Sequence, residues 1–173
     1  MLNAPGLGLR RIADLRSDEL SEYSLGQGIL IPTLGAVFDA VGRDTMIYVE
    51  IKAPSIEPLV TRIVREHATR CAIHSFDHRI VRTVKSIFPA VRTGVLEVAR
   101  HVDPIASLVA TGAQDLWQDV SFIDEDLVTR AHAADFKVIA WTANDAEQWE
   151  TLRRLGVDGI CTDRIAELTT FNW

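Results

Sequence analysis

The chain has 173 residues, 47% of them apolar and 24% charged, and a formal net charge of −6. That length and composition fit one globular domain with a core of its own. The acidic balance excludes a basic nucleic-acid footprint, and no apolar run is long enough to predict a membrane span.

Residues 1–30 read as an irregular segment. Glycines and Pro5 interrupt it, and Ser17-Asp18-Glu19-Leu20 marks one short helical turn toward Tyr23. Nothing here has the basic-then-apolar pattern of a signal peptide, and the two widely separated cysteines, Cys71 and Cys161, read as buried free thiols. A reducing, cytoplasmic setting is the expectation.

From residue 31 the pattern becomes regular. Thr33 precedes Leu34, Val37, Phe38 and Val41, which share one helical face, and Gly42 follows as a stop. Residues 46–52 (MIYVEIK) read as a strand. Ser55 is the expected cap of a helix carrying Leu59, Val60, Ile63 and Val64. Residues 71–76 (CAIHSF) form the next strand, and a helix with Ile80, Val84 and Ile87 ends before Pro89. A strand at 91–97 follows. Asp103-Pro104 predicts the next helix start, with Gly112 as its end. Then come a strand at 113–119, a helix from Asp124, a strand at 137–143, a helix opened by Asn144 with Glu147 at capping-box spacing, and a strand at 157–163.

Six strands thus alternate with helices at steps of roughly 20–25 residues, the unit length of a (β/α)₈ barrel. The predicted fold is α/β, of the TIM-barrel type, with six βα units. The first two units of an eight-unit barrel would precede residue 30. No glycine-rich phosphate loop follows a strand, which argues against a dinucleotide-binding sheet.

Barrel chemistry gathers at the C-terminal ends of the strands. Glu50 and Lys52 stand there at i, i+2 and so project from one face. They read either as a structural ion pair or as a carboxylate for a metal beside a lysine for an anion. Asp77, Glu97, Asp119 and Asp163 end other strands. Glu97 reaches the mouth or is simply solvated, and Asp163 is read first as a helix cap. His74 reads as a satisfied barrel histidine. His74 and His78 are a weaker candidate pair of metal ligands, because i, i+4 spacing brings ligands together only on a helix.

The fragments IPTL (31–34), VEIK (49–52), SFD (75–77), Pro89, AWTAN (140–144) and GVDGICTD (156–163) resemble, in order and spacing, the glycerophosphodiester phosphodiesterase family. The resemblance covers residues 31–165 and makes 31–173 a partial barrel of that family, with 1–30 the remnant of an insertion region. It implies metal-dependent hydrolysis of glycerophosphodiesters to an alcohol and glycerol 3-phosphate, with Ca²⁺ or Mg²⁺ as cofactor. By the same resemblance Glu50 is a metal ligand, Lys52 lies near the phosphate and Trp141 lines the substrate mouth.

The family's two catalytic histidines stand in His-Arg-Gly and His-Asp contexts, and two further metal ligands in a Glu-x-Asp pair. None of the five histidines here, His67, His74, His78, His101 and His132, has either context. The expectation is therefore an N-terminally truncated member without activity of its own, whose open sheet edges favour self-association. The alternatives are a non-catalytic barrel remnant that binds, and an unrelated barrel enzyme using Lys52 as a Schiff-base nucleophile. The latter leaves IPTL, AWTAN and GVDGICTD unexplained.

Overall fold

The structure, a computed structural model, describes residues 2–4, 8–24, 26–67 and 70–171. The chain divides into two compact units, residues 1–42 and 43–173.

The first unit is more ordered than its sequence suggests. Strands β1 (Leu2–Ala4) and β2 (Gly8–Arg10) pair antiparallel, with Leu2 opposite Arg10. Short 3₁₀ turns follow at Ile12–Asp14 and Glu19–Glu22, the second capped by the Asp18 carboxylate. Helix α1 (Leu34–Val41) begins where Thr33 Oγ1 accepts the Ala36 N–H at 3.1 Å. It ends at Gly42, whose φ of +75° is a conformation that side chains disfavour. Tyr23 and Phe38 are buried. The hairpin strands are three residues each, too short for alternation to reveal them.

The second unit is a six-stranded, all-parallel sheet in sequential order, flanked by helices. Its strands are β3 (Ile47–Glu50), β4 (Cys71–Ser75), β5 (Arg92–Glu97), β6 (Asp115–Asp119), β7 (Lys137–Trp141) and β8 (Gly159–Ile160). The connecting helices are α2 (Glu57–His67), α3 (His78–Ile87), α4 (Ala106–Thr111), α5 (Glu125–Ala133) and α6 (Ala146–Leu155), and α7 (Ile165–Thr170) follows β8. Every residue of β4 is buried, as expected of a parallel strand covered on both faces.

The main core lies between the sheet and the helices. Val95, Leu116, Val138 and Ala140 from the strands meet Val81, Leu108, Leu127, Val128, Trp149 and Leu152 from α3 to α6. Each helix supplies apolar residues three or four apart, so one stripe per helix is enough to cover the sheet. The opposite, inner face holds a smaller cluster of Leu96, Trp117 and Ile139 with Trp141 against it. Gly94 makes room for that cluster, because a Cβ there would lie 2.9 Å from Trp117 Cδ1.

Several boundaries differ from the sequence reading. Ser55 does not cap α2. It sits in a turn at φ +69°, and the helix starts two residues later at Glu57. Asp103-Pro104 does not open α4, which starts at Ala106. Asp103 is drawn instead into an ion pair with Arg130 at 2.9 Å. The cap of α6 is Asp145, not Asn144: Asp145 Oδ1 accepts the Gln148 N–H at 2.8 Å. Asn144 is occupied elsewhere. Its Oδ1 accepts from Thr162 Oγ1 at 3.0 Å and the Asp163 N–H at 2.9 Å, and its Nδ2 donates to Asp163 Oδ2 at 2.9 Å. Cys161 is exposed, whereas Cys71 is buried and burial pushes its thiol up to about 11.

Candidate active site

The inner face is organised by register. One row of paired residues runs Glu50, His74, Gly94, Asp115, Lys137 across β3 to β7, and a second runs Leu96, Trp117, Ile139, Gly159 across β5 to β8. Glu50 ends β3, whereas Asp115 and Lys137 begin β6 and β7. The row therefore descends around the sheet, which is the stagger of tilted strands in a barrel.

At the N-terminal end of the strands charges are neutralised in pairs. Arg92 Nε donates to Asp115 Oδ2 at 2.7 Å, with Asp115 fully buried. Asp158 is reached by Lys137 at 2.9 Å and by His132 Nε2 at 2.8 Å, and accepts the Val138 N–H at 2.9 Å. Interactions at this end of a barrel serve stability.

The C-terminal rim is different. Glu50 Oε2 and Lys52 Nζ lie 3.4 Å apart; the lysine side chain is 77% exposed and the glutamate 27%. A lysine so solvated holds its ammonium free to leave the carboxylate for another anion, at a cost of order 1 kcal/mol or less. Trp141, half-buried at the end of β7, donates its indole N–H to the Trp117 carbonyl at 2.9 Å. Its ring meets the exposed Phe76 edge-on, with centroids 5.3 Å apart. Phe76 was visible in the sequence as the middle of SFD at a strand end, but nothing in the spacing assigned it a place. Its packing on Trp141 makes an aromatic wall at the rim.

The remaining candidates lie apart from that wall. His74 is buried, stacks on Trp117 with centroids 4.6 Å apart, and has no hydrogen-bond partner at Nδ1. It is therefore not the satisfied histidine expected, and burial lowers its pKa to about 4. His78 does not join it. His78 Nε2 lies 3.1 Å from the Leu96 carbonyl and 3.7 Å from Glu97, while His101 Nε2 lies 2.8 Å from Glu97. Glu97 thus neither reaches the mouth nor is solvated; it ties the start of α3 to the loop after β5. Asp77 caps α3, and its bonds from Arg79 hold its carboxyl down at about 2. Asp119 caps the turn at Val120–Phe122. Asp163 is not a helix cap, because it pairs with Asn144. Among the described residues, no group of three or more His, Cys, Asp or Glu side chains could hold a metal ion.

The chain is an incomplete (β/α) barrel with a carboxylate, a lysine and an aromatic wall at its C-terminal rim. The chain belongs to the glycerophosphoryl diester phosphodiesterase family, whose model matches residues 5–167, and so to the phosphoric diester hydrolases. A glycerophosphodiester phosphodiesterase of Caldanaerobacter subterraneus subsp. tengcongensis is 32% identical over 88% of this chain and 69% of its own length. Two solved structures share the fold. A phosphodiesterase of Oleispira antarctica, in complex with the product sn-glycerol-3-phosphate, superimposes with a TM-score of 0.87 at 21% identity, over 93% of this chain and 72% of its own. A glycerophosphodiester phosphodiesterase of Thermotoga maritima gives 0.78 at 24% identity, over 95% and 73%. The family match begins at residue 5 and so takes in most of the segment that the sequence left irregular.

Proposed function

We propose that this barrel serves the hydrolysis of a glycerophosphodiester to an alcohol and glycerol 3-phosphate. In that reaction water adds across one P–O bond: the hydroxyl goes to phosphorus and the proton to the departing alkoxide. The observation that supports the reading is the Glu50–Lys52 pair at the C-terminal rim of a barrel of this family. Lys52 offers its ammonium to a phosphate oxygen, and Phe76 with Trp141 gives an apolar wall to the glycerol or alcohol side.

Glu50 would be one ligand of a divalent cation such as Ca²⁺ or Mg²⁺, which would neutralise charge on the phosphate. Calcium takes about 6–8 oxygen ligands. Glu50 is one carboxylate, and the described residues add no cluster to it. The residues present do not by themselves make a metal site, so the metal carries no step here.

We also propose that the chain alone does not turn over. General acid–base catalysis is worth roughly 10²–10⁴-fold and needs a group within hydrogen-bond reach of the moving proton. The histidines are engaged elsewhere: His67 with the Ile63 carbonyl, His74 in the Trp117 stack, His78 and His101 at Glu97, and His132 at Asp158. The test is release of glycerol 3-phosphate from glycerophosphocholine by the purified chain, with and without Ca²⁺ or Mg²⁺. The expected rate is background. Metal-dependent turnover that disappears in Glu50→Ala would refute the inactivity and assign the chemistry to one of these histidines.

A further inference from the structure

We propose that a cavity at the N-terminal end of β4 and β5 binds a small phosphate monoester with an apolar organic group, its phosphate held by Arg65 and Arg70. The site lies at the opposite end of the strands from the rim that carries Glu50 and Lys52, so it does not depend on the hydrolytic reading.

The cavity measures about 400 Å³, within the range of about 300–1,000 Å³ usual for small-molecule sites. Met46, Val64 and Phe88 give it an apolar lining, and Arg65, Arg70 and Arg92 supply its charge. Among the described residues, no aspartate or glutamate lines it.

That balance is uncommon in this chain. The net charge is −6, and the other cations at this end of the sheet are matched, Arg92 by Asp115 and Lys137 by Asp158. Arg65 and Arg70 have no carboxylate within ion-pair distance among the described residues. Glu66, the nearest acid in the sequence, lies 3.9 Å from Arg62 instead.

Arg65 is nevertheless held in place. Its Nη2 donates to the Ile87 carbonyl at 2.6 Å, and its guanidinium lies over the Phe88 ring, 4.4 Å from the centroid. One such bond leaves most of the guanidinium's N–H groups free, and neither a carbonyl nor a ring face cancels its charge. An arginine already ordered by packing has less freedom to lose when it takes a ligand. Arg70 stands immediately before β4. Its carbonyl accepts the Ile47 N–H at 2.8 Å, which fixes its backbone, while its side chain is exposed and unpaired among the described residues. Arg92, already bonded to Asp115, brings donors without net charge.

These features select the ligand. A phosphate monoester carries about two negative charges at neutral pH, which matches the two uncompensated guanidiniums. Its oxygens accept bidentate bonds from each planar fork. A monocarboxylate would leave one arginine unmatched. A bare phosphate ion would leave Met46, Val64 and Phe88 against water, whereas an apolar group on the ester covers them.

The probe is phenyl phosphate, added to the purified chain while the arginine Nε–H signals are followed by NMR. The Arg65 and Arg70 signals should shift together in one saturable titration. Arg65→Gln and Arg70→Gln should each weaken binding by about tenfold or more, the loss of one charge-assisted pair. Inorganic phosphate and benzoate should each bind at least about fivefold more weakly than phenyl phosphate, the first for want of the apolar group and the second for want of the second charge. Arg82→Gln, at an exposed arginine of α3 outside the cavity, and Lys52→Ala, at the opposite rim, should leave the affinity within about twofold. No shift of the Arg65 and Arg70 signals at about 10 mM phenyl phosphate would overturn the proposal. So would equal weakening by Arg82→Gln, loss of binding in Lys52→Ala, or inorganic phosphate that binds as tightly as phenyl phosphate. The shifts are read on the unsubstituted chain, and Arg70→Gln removes no side-chain bond of the fold, so the test decides even where Arg65→Gln loosens the end of α3.

Discussion

Lowering the pH should destabilise the second unit through a single imidazole. His74 is 7% exposed, packed on Trp117 and near Tyr48, and burial lowers its pKa from 6.5 to about 4. In the folded chain it is held neutral, while in the unfolded chain it takes a proton near its ordinary value. Between these values the unfolded state binds more protons, so stability is full above about 6.5 and falls as the pH drops toward about 4. One pKa unit is worth about 1.4 kcal/mol, so the total loss is about 3 kcal/mol, of which about 2 kcal/mol appears between pH 7 and pH 5. Urea unfolding at these two pH values measures it, with His74→Phe as the reference because phenylalanine keeps the stack and cannot titrate. The unsubstituted chain should lose about 2 kcal/mol more than the variant. Equal losses in both, or an NMR titration of His74 centred near 6.5, would refute the reasoning.

Gly94→Ala should cost about 1–3 kcal/mol in the same unfolding assay, since its methyl would lie 2.9 Å from the Trp117 ring and 3.2 Å from Asp115 Cβ, and the neighbours must shift to admit it. Asn144→Ala removes the bonds that tie the segment after β7 to the end of β8 and should cost about 1–2 kcal/mol; hydrogen exchange should quicken selectively at residues 159–163. Glu50→Ala and Lys52→Ala should each move stability by less than about 0.5 kcal/mol, because an ion pair this exposed contributes little to folding. A large loss in either would make the pair structural and remove the main support for the proposed site.

The sequence by itself determined the order of strands and helices from residue 46 onward, because each strand is a short apolar run and each helix carries one apolar stripe. It determined the two αL stops at Gly112 and Gly156 and the caps Thr33 and Asp124, where local chemistry is enough. It also put Glu50 and Lys52 on one face, since a period of two leaves no choice. Only the tertiary structure decided what depends on partners distant in the chain. Asn144 looked like a cap and instead ties its own segment to Thr162 and Asp163, because parallel pairing of β7 with β8 brings residues 18 and 19 positions apart into contact. Glu97 was read as reaching the mouth or as solvated and is instead held by His78 and His101, and Cys161 looked buried and is exposed. His74 could be placed on a strand from its neighbours. That it faces Trp117, with Gly94 leaving the space between strands, follows from the stagger of β4, β5 and β6, which pairing across the sheet sets and local sequence does not encode.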